Sequence, residues 1–276
     1  MLFLPSLPPV RPSQVYVPLS PPHWSIDFSA LSAALTPIDL LLLSCLPFFP
    51  RPFPPLPIPS LVHSLPCPSL LPVRPSQVYV PLSPPHWSID FSALSAALTP
   101  RTKGIILNSP CNPTGRVFSH AELSQIAQVC CHHDLLAITD EVYSAFTYGS
   151  GSTPRHVSLA QWPGMKERCI VTSSISKTFH VTGWRVGWAI APAPIAAAIS
   201  TISAKLIDTP PAPFQEASRA ALSLPSSYYT QLREDYTHKR DTAVAMLLEA
   251  GLEVPLVPEG SVFVFASIPE RWGVDD

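Results

Sequence analysis

The chain has 276 residues, room for one large or two small domains at roughly 150 residues each. A net charge of −2 gives no electrostatic case for nucleic acid. The longest apolar run, residues 40–49, contains Pro47 and falls well short of the roughly 20 residues that a membrane helix needs. Six cysteines without a C-x-x-C pair, two of them adjacent at Cys130 and Cys131, suggest neither a disulfide framework nor a zinc site. The first residues, MLFLPSLPPV, lack a basic region and carry prolines where a signal peptide has its apolar run. A soluble, reducing, cytoplasmic setting is the default expectation, with an organelle left open.

Composition divides the chain in two. Of 36 prolines, 23 lie in residues 1–100, whereas all ten glycines lie at or after Gly104. Residues 9–37 and 72–100 are identical over 29 positions, PVRPSQVYVPLSPPHWSIDFSALSAALTP. Structural repeats diverge as each copy meets different neighbours, and solenoids need three or more units, so this is not a solenoid. Between the copies lies a tract of Leu, Pro, Ser and Phe, residues encoded by pyrimidine-rich codons. Residues 1–71 are therefore read as a proline-rich low-complexity segment, either the artefact of a translated intron-like tract or a disordered linker. Only the second copy runs on into globular sequence, RTKGIILNSP.

From Arg101 onward, strand and helix signals alternate. Strands are predicted at Lys103–Leu107, Leu135–Thr139, Cys169–Ser173, Trp184–Ala191 and Ser261–Ala266. Ser119-His120-Ala121-Glu122 reads as a capping box, with Leu123, Ile126, Ala127 and Cys130 behind it at helical spacing. Further helices are predicted at Ile195–Leu206, Phe214–Leu222 and Ser226–Ala250. The alternation implies an α/β fold with a mostly parallel sheet, whose ligands sit at the carboxyl ends of the strands.

Four polar clusters fall at those ends: Asn108-Ser109-Pro110-Cys111-Asn112-Pro113-Thr114-Gly115, Asp140-Glu141-Val142-Tyr143, Ser173-Ser174-Ile175-Ser176-Lys177-Thr178-Phe179 and Thr182-Gly183-Trp184-Arg185-Val186-Gly187-Trp188. Singly, each has an ordinary reading: a turn, a helix cap, a surface lysine, an anion-binding arginine. His132-His133 reads as a cationic helix end, His180 as packing near the lysine, and Trp184 and Trp188 as packing on the sheet. No residue set is read as a metal site.

Together and in this order, the clusters resemble the class I/II, fold-type I pyridoxal-phosphate aminotransferases over about residues 72–276. Pro213-Phe214-Gln215, Lys239-Arg240-Asp241 and Pro258-Glu259-Gly260-Ser261 extend the likeness. AITDEVY, SKTFHVTGWRVGW and NSPCNPTG look most like the kynurenine/glutamine transaminase and cysteine-conjugate β-lyase group. The resemblance implies pyridoxal 5′-phosphate as cofactor, with Lys177 as the catalytic amine that forms its Schiff base and then moves a proton. It implies Asp140 at the ring nitrogen, Asn112 and Tyr143 at the phenolic oxygen, and Ser174 and Arg185 at the phosphate. The implied reaction moves an amino group from an α-amino acid to a 2-oxo acid through that lysine aldimine, in a homodimer. A catalytically inactive fragment and a β-lyase remain as alternatives, as does a proline-rich interaction segment in residues 1–71.

The family's phosphate loop, ring-stacking aromatic and partner-subunit tyrosine come ahead of the asparagine, and its substrate-carboxylate arginine comes late in the small domain. No glycine precedes Gly104, and the match runs out at Asp276. The expected fold is thus an incomplete fold-type I large domain over residues 72–240, a mostly parallel sheet with flanking helices. The beginning of a small α+β C-terminal domain follows over residues 241–276.

Overall fold

The computed structural model describes residues 39–44, 76–148 and 156–272. Their strands are β1 (Asp39–Ser44), β2 (Ser76–Ser83), β3 (Ser88–Ile89), β4 (Thr102–Asn108), β5 (Leu136–Asp140), β6 (Cys169–Ser174) and β7 (Gly187–Ile190). They form one seven-stranded sheet in the order β3-β2-β1-β4-β5-β6-β7. Pairing is parallel from β2 through β1, β4 and β5 to β6, and antiparallel at both edges. The helices are α1 (Phe91–Ala97), α2 (His120–His132), α3 (Ala193–Leu206), α4 (Ala212–Leu222) and α5 (Ser226–Glu249).

Strand periodicity explains the layers, because successive side chains point to opposite faces. Cys169 and Val171 of β6 and Ala137 of β5 join Leu94 of α1 and Leu123, Ile126 and Cys130 of α2 in the main core. Ile170 and Ile138, one residue out of phase, instead join Ala196, Ile195 and Ile199 of α3. The sheet is therefore covered on both faces, as parallel strands require. A third cluster holds Tyr143, Phe146 and Tyr148 against Leu232 of α5. No helix among the described residues is long and apolar enough to cross a membrane.

The structure alters several expectations. Within the proline-rich 1–71 segment, Asp39–Ser44 is a strand, and it lies between β2 and β4. The rest of that segment lies outside the described residues. The second copy of the repeat supplies β2, β3 and α1, with Asp90 capping α1 through bonds from Ser92 and Ala93 N–H. The strand predicted at Trp184–Ala191 is shortened to Gly187–Ile190, because Thr182–Trp184 form a 3-10 turn and Arg185 is left-handed at φ 55°. Ser261–Ala266 is not a strand. The flanking residues Gly260 and Ser267 make only isolated bridges, to Thr147 and Glu253, so no ladder forms. Helix α5 is continuous across residue 240.

The capping box forms as read. Ser119 Oγ accepts the Glu122 N–H, and the Glu122 carboxylate accepts the Ser119 N–H at 2.9 Å. Ser119→Ala is expected to cost about 1 kcal/mol, visible as a lower urea midpoint. Burial pushes the Cys130 and Cys169 thiols up to about 12, whereas Cys131 is exposed. Alkylation of the native chain near pH 8, mapped by peptide mass spectrometry, should modify Cys131 and spare both buried thiols until the fold is denatured.

Candidate active site

Parallel pairing brings three strand ends to one edge of the sheet. Asn108, the last residue of β4, lies opposite Asp140, the last of β5. Asp140 lies opposite Thr172, two residues before the end of β6 at Ser174. Each candidate residue lies at one of these ends or in the loop that leaves it.

Asn108 joins the first two ends. Its carboxamide Oδ1 accepts the Asn112 N–H at 2.7 Å, and its Nδ2 donates to the Asp140 carbonyl at 3.0 Å. The same carbonyl accepts the Ser109 N–H at 3.1 Å. The loop then reverses at Gly115, φ 72°, whose N–H returns to the Cys111 carbonyl. A Cβ at Gly115 would lie 2.5 Å from Pro258 Cβ, so only glycine fits beneath the 258–261 segment. That segment is docked by Glu259 and Gly260 N–H groups on the Gly115 carbonyl, 2.8 Å each, and by the Glu259 carboxylate accepting Val117 N–H.

Asn112, Asp140 and Tyr143 are brought together. Tyr143 is buried, with edge contacts to Phe146 and Phe263 at centroid distances of 6.4 and 5.8 Å. Burial, and then the negative Asp140 beside it, push the Tyr143 phenol above its ordinary value, while a hydrogen bond with Asn112 works the other way. The half-buried Asp140 carboxylate also accepts the Val142 N–H at 3.2 Å.

Ser174, Lys177 and Arg185 are gathered by the β6–β7 connection. Ser174 pairs with Gly187, where a Cβ would come 2.9 Å from the Ser173 carbonyl, so the strands can close only on glycine. Between them the chain folds back through the Phe179 N–H to Ile175 and Val181 N–H to Ser176 carbonyl bonds, 3.1 Å each. Ser174 Oγ accepts the Ser176 N–H at 3.2 Å, and the exposed Arg185 guanidinium donates to the Thr182 carbonyl at 3.2 Å. Lys177 is half-buried, and its amine makes no hydrogen bond or ion pair among the described residues. No direct side-chain bond joins this group to the Asn112, Asp140 and Tyr143 group; the paired strands hold the two in register.

Sequence reasoning singled out Asn112 and passed over Asn108, the residue that pins the loop to β5; its place as the last residue of a strand was the available signal. It also passed over Glu141. That buried carboxylate accepts from Thr139 Oγ1 at 2.9 Å and Ser158 Oγ at 2.8 Å, and contacts His156 Nε2 at 2.8 Å. The cluster anchors β5 directly behind Asp140. Trp184 stacks on Phe214 at 4.9 Å, at the start of α4. Among the described residues no group of three or more His, Cys, Asp or Glu side chains is arranged to hold a metal ion.

The donor set fits pyridoxal phosphate. An unpartnered amine, a carboxylate, a phenol paired with an amide, a hydroxyl and a guanidinium lie around one sheet edge, a set suited to the aldehyde, ring nitrogen, phenolic oxygen and phosphate of that cofactor.

Burial also raises the Tyr148 phenol. A phenol kept protonated in the folded state and free to ionise when unfolded favours unfolding at high pH. The urea midpoint should hold steady below about pH 9 and fall above about pH 10. Tyr148→Phe should flatten that fall, as followed by far-ultraviolet circular dichroism.

Residues 73–271 match the family described as aminotransferase class I and II. Kynurenine–oxoglutarate transaminase of Dictyostelium discoideum is 42% identical over 183 residues, 65% of this chain and 41% of the relative. Kynurenine–oxoglutarate transaminase 3 of Homo sapiens is 39% identical over 189 residues, 66% of this chain and 41% of the relative. The solved N-succinyldiaminopimelate aminotransferase from Mycobacterium tuberculosis superposes with a TM-score of 0.72 at 35% identity, covering 90% of this chain and 61% of that one. The chain thus spans about two fifths of the length of these two curated relatives. Its sheet, its strand-end clusters and these likenesses agree: the chain belongs to the class I and II aminotransferases, the fold-type I enzymes that use pyridoxal phosphate.

Proposed function

We propose that this chain carries the lysine-bearing half of an aminotransferase site, acting on an α-amino acid and a 2-oxo acid. The observation that supports this most is the single sheet edge shared by Asn112, Asp140, Tyr143, Ser174, Lys177 and Arg185, with the Lys177 amine unpaired. The kynurenine–oxoglutarate relatives favour an aromatic donor and 2-oxoglutarate as the first pair to test. Residues 72–240 are read as the large-domain part and residues 241–276 as the start of a small domain, with α5 running from one into the other. As in the family, the working unit is read as a homodimer.

Bound pyridoxal 5′-phosphate supplies an electron sink for charge that develops at the substrate α-carbon. Lys177 would hold the cofactor through its amine, and the same amine, once freed, would carry the proton from the substrate α-carbon. The half-buried amine has no acidic partner among the described residues. Asp140 would face the cofactor's ring nitrogen, where its charge would favour a proton. Tyr143 donates from a phenol that burial keeps protonated, and Asn112 donates beside it. Ser174 and Arg185 offer a hydroxyl and a cation to the phosphate dianion. Arg185 leaves the Thr182 carbonyl at little cost, since that contact is exposed.

Adding pyridoxal phosphate to the purified chain should produce a visible absorption band, absent in Lys177→Ala. Turnover of L-kynurenine with 2-oxoglutarate should fall roughly a hundred- to ten-thousandfold in that variant. Asp140→Asn should lower turnover by about a hundredfold while leaving a band. A folded wild-type chain that gives no band would contradict the proposal.

A further inference from the structure

We infer that Tyr228 and Tyr236 of α5 are positioning residues for Lys177. The inference rests on Lys177 being the cofactor-capturing amine proposed above. The three residues that follow the lysine are all held by this one helix. Tyr228 Oη donates to the Thr178 carbonyl at 2.7 Å. The Phe179 ring stacks on Tyr228, with centroids 5.5 Å apart and planes at 14°. His180 Nε2 meets Tyr236 Oη at 3.0 Å, with the rings stacked at 5.9 Å and 20°.

Helical spacing makes this grip possible. Tyr228 and Tyr236 are eight residues apart on α5, a little over two turns, and so lie on one face. The loop needs an external hold. His180 is left-handed at φ 57°, a conformation that a non-glycine residue keeps only when its surroundings enforce it. The His180 N–H donates to the Lys177 carbonyl at 3.2 Å, so fixing His180 fixes the peptide that carries the amine.

The helix is itself fixed to the other half of the site. Leu232 is buried with Tyr143, Phe146 and Tyr148, and Tyr236 meets Phe146 edge-on at 4.8 Å. Lys239 Nζ lies 4.5 Å from the centroid of the Tyr236 ring, about one turn further on. α5 therefore references the lysine loop to the segment that carries Tyr143. These tyrosines set where the amine stands without touching the reacting atoms.

Tyr236→Phe and Tyr228→Phe keep both rings and remove one hydroxyl each. The test uses the full chain, without cofactor for hydrogen exchange and with pyridoxal phosphate for the rate at which the visible band appears. Both variants should speed amide exchange at residues 178–181 and slow capture by roughly three- to tenfold, the range set by loss of one hydrogen bond. The melting midpoint should stay within about 2 °C of wild type. Tyr229→Phe is the control: its ring packs on Tyr228 and Phe179, its hydroxyl makes no hydrogen bond among the described residues, and it should change neither reading.

Wild-type exchange in both variants overturns the inference, as does faster exchange with unchanged capture. A wild-type chain that captures no cofactor overturns the reading of Lys177 instead. Exchange at 178–181 then still decides whether the tyrosines hold the loop.

Discussion

Parallel pairing of β4, β5 and β6 is the constraint on which the rest of the site depends. It sets Asn108 opposite Asp140, and Asp140 opposite Thr172, so three loops leave the sheet from one edge. No single polar contact there is strong; a partly exposed hydrogen bond contributes about 1 kcal/mol. What fixes the geometry is the buried apolar ladder beneath, with Ile105, Leu107, Ala137, Cys169 and Val171 on the face that α1 and α2 cover. The strand-end polar groups inherit their positions from that packing.

A second level of organisation comes from α5. The helix lies against the Tyr143–Tyr148 segment through Leu232, against the Lys177 loop through its tyrosines, and against the 258–261 segment through Arg240, whose Nη1 donates to the Tyr148 and Pro258 carbonyls at 3.4 and 3.2 Å. The Pro258-Glu259-Gly260-Ser261 segment in turn closes over Gly115. Parts distant in sequence thus converge on one loop system. Asp140 has its own support in the buried Glu141, His156 and Ser158 contacts behind it.

Much of the site was legible because its chemistry is local in sequence. Lys177, Ser174 and Arg185 fall within one strand–loop–strand unit, and Asp140 and Tyr143 within one turn. The capping box at Ser119 was readable for the same reason: its two bonds span three residues. What escaped depends on distant partners. Asp39–Ser44 sits in a proline-rich tract and becomes a strand only between β2 and β4. Asn108 and Glu141 look like ordinary polar residues until pairing sets them against other strands and loops. Trp184 and Ser261–Ala266 err the other way. Their apolar patterns suit strands, but a left-handed Arg185 ends one early, and the other has no neighbour to ladder with among the described residues.

The proposed role of Lys177 sets one amine, on one loop, apart from every other lysine. It is tested most directly by mixing the chain with pyridoxal phosphate, reducing with borohydride and mapping the modified peptides. A stoichiometric adduct is expected on Lys177, with Lys103, Lys166, Lys205 and Lys239 essentially unmodified. Modification spread over those lysines, or none at Lys177 in a folded chain, would contradict it.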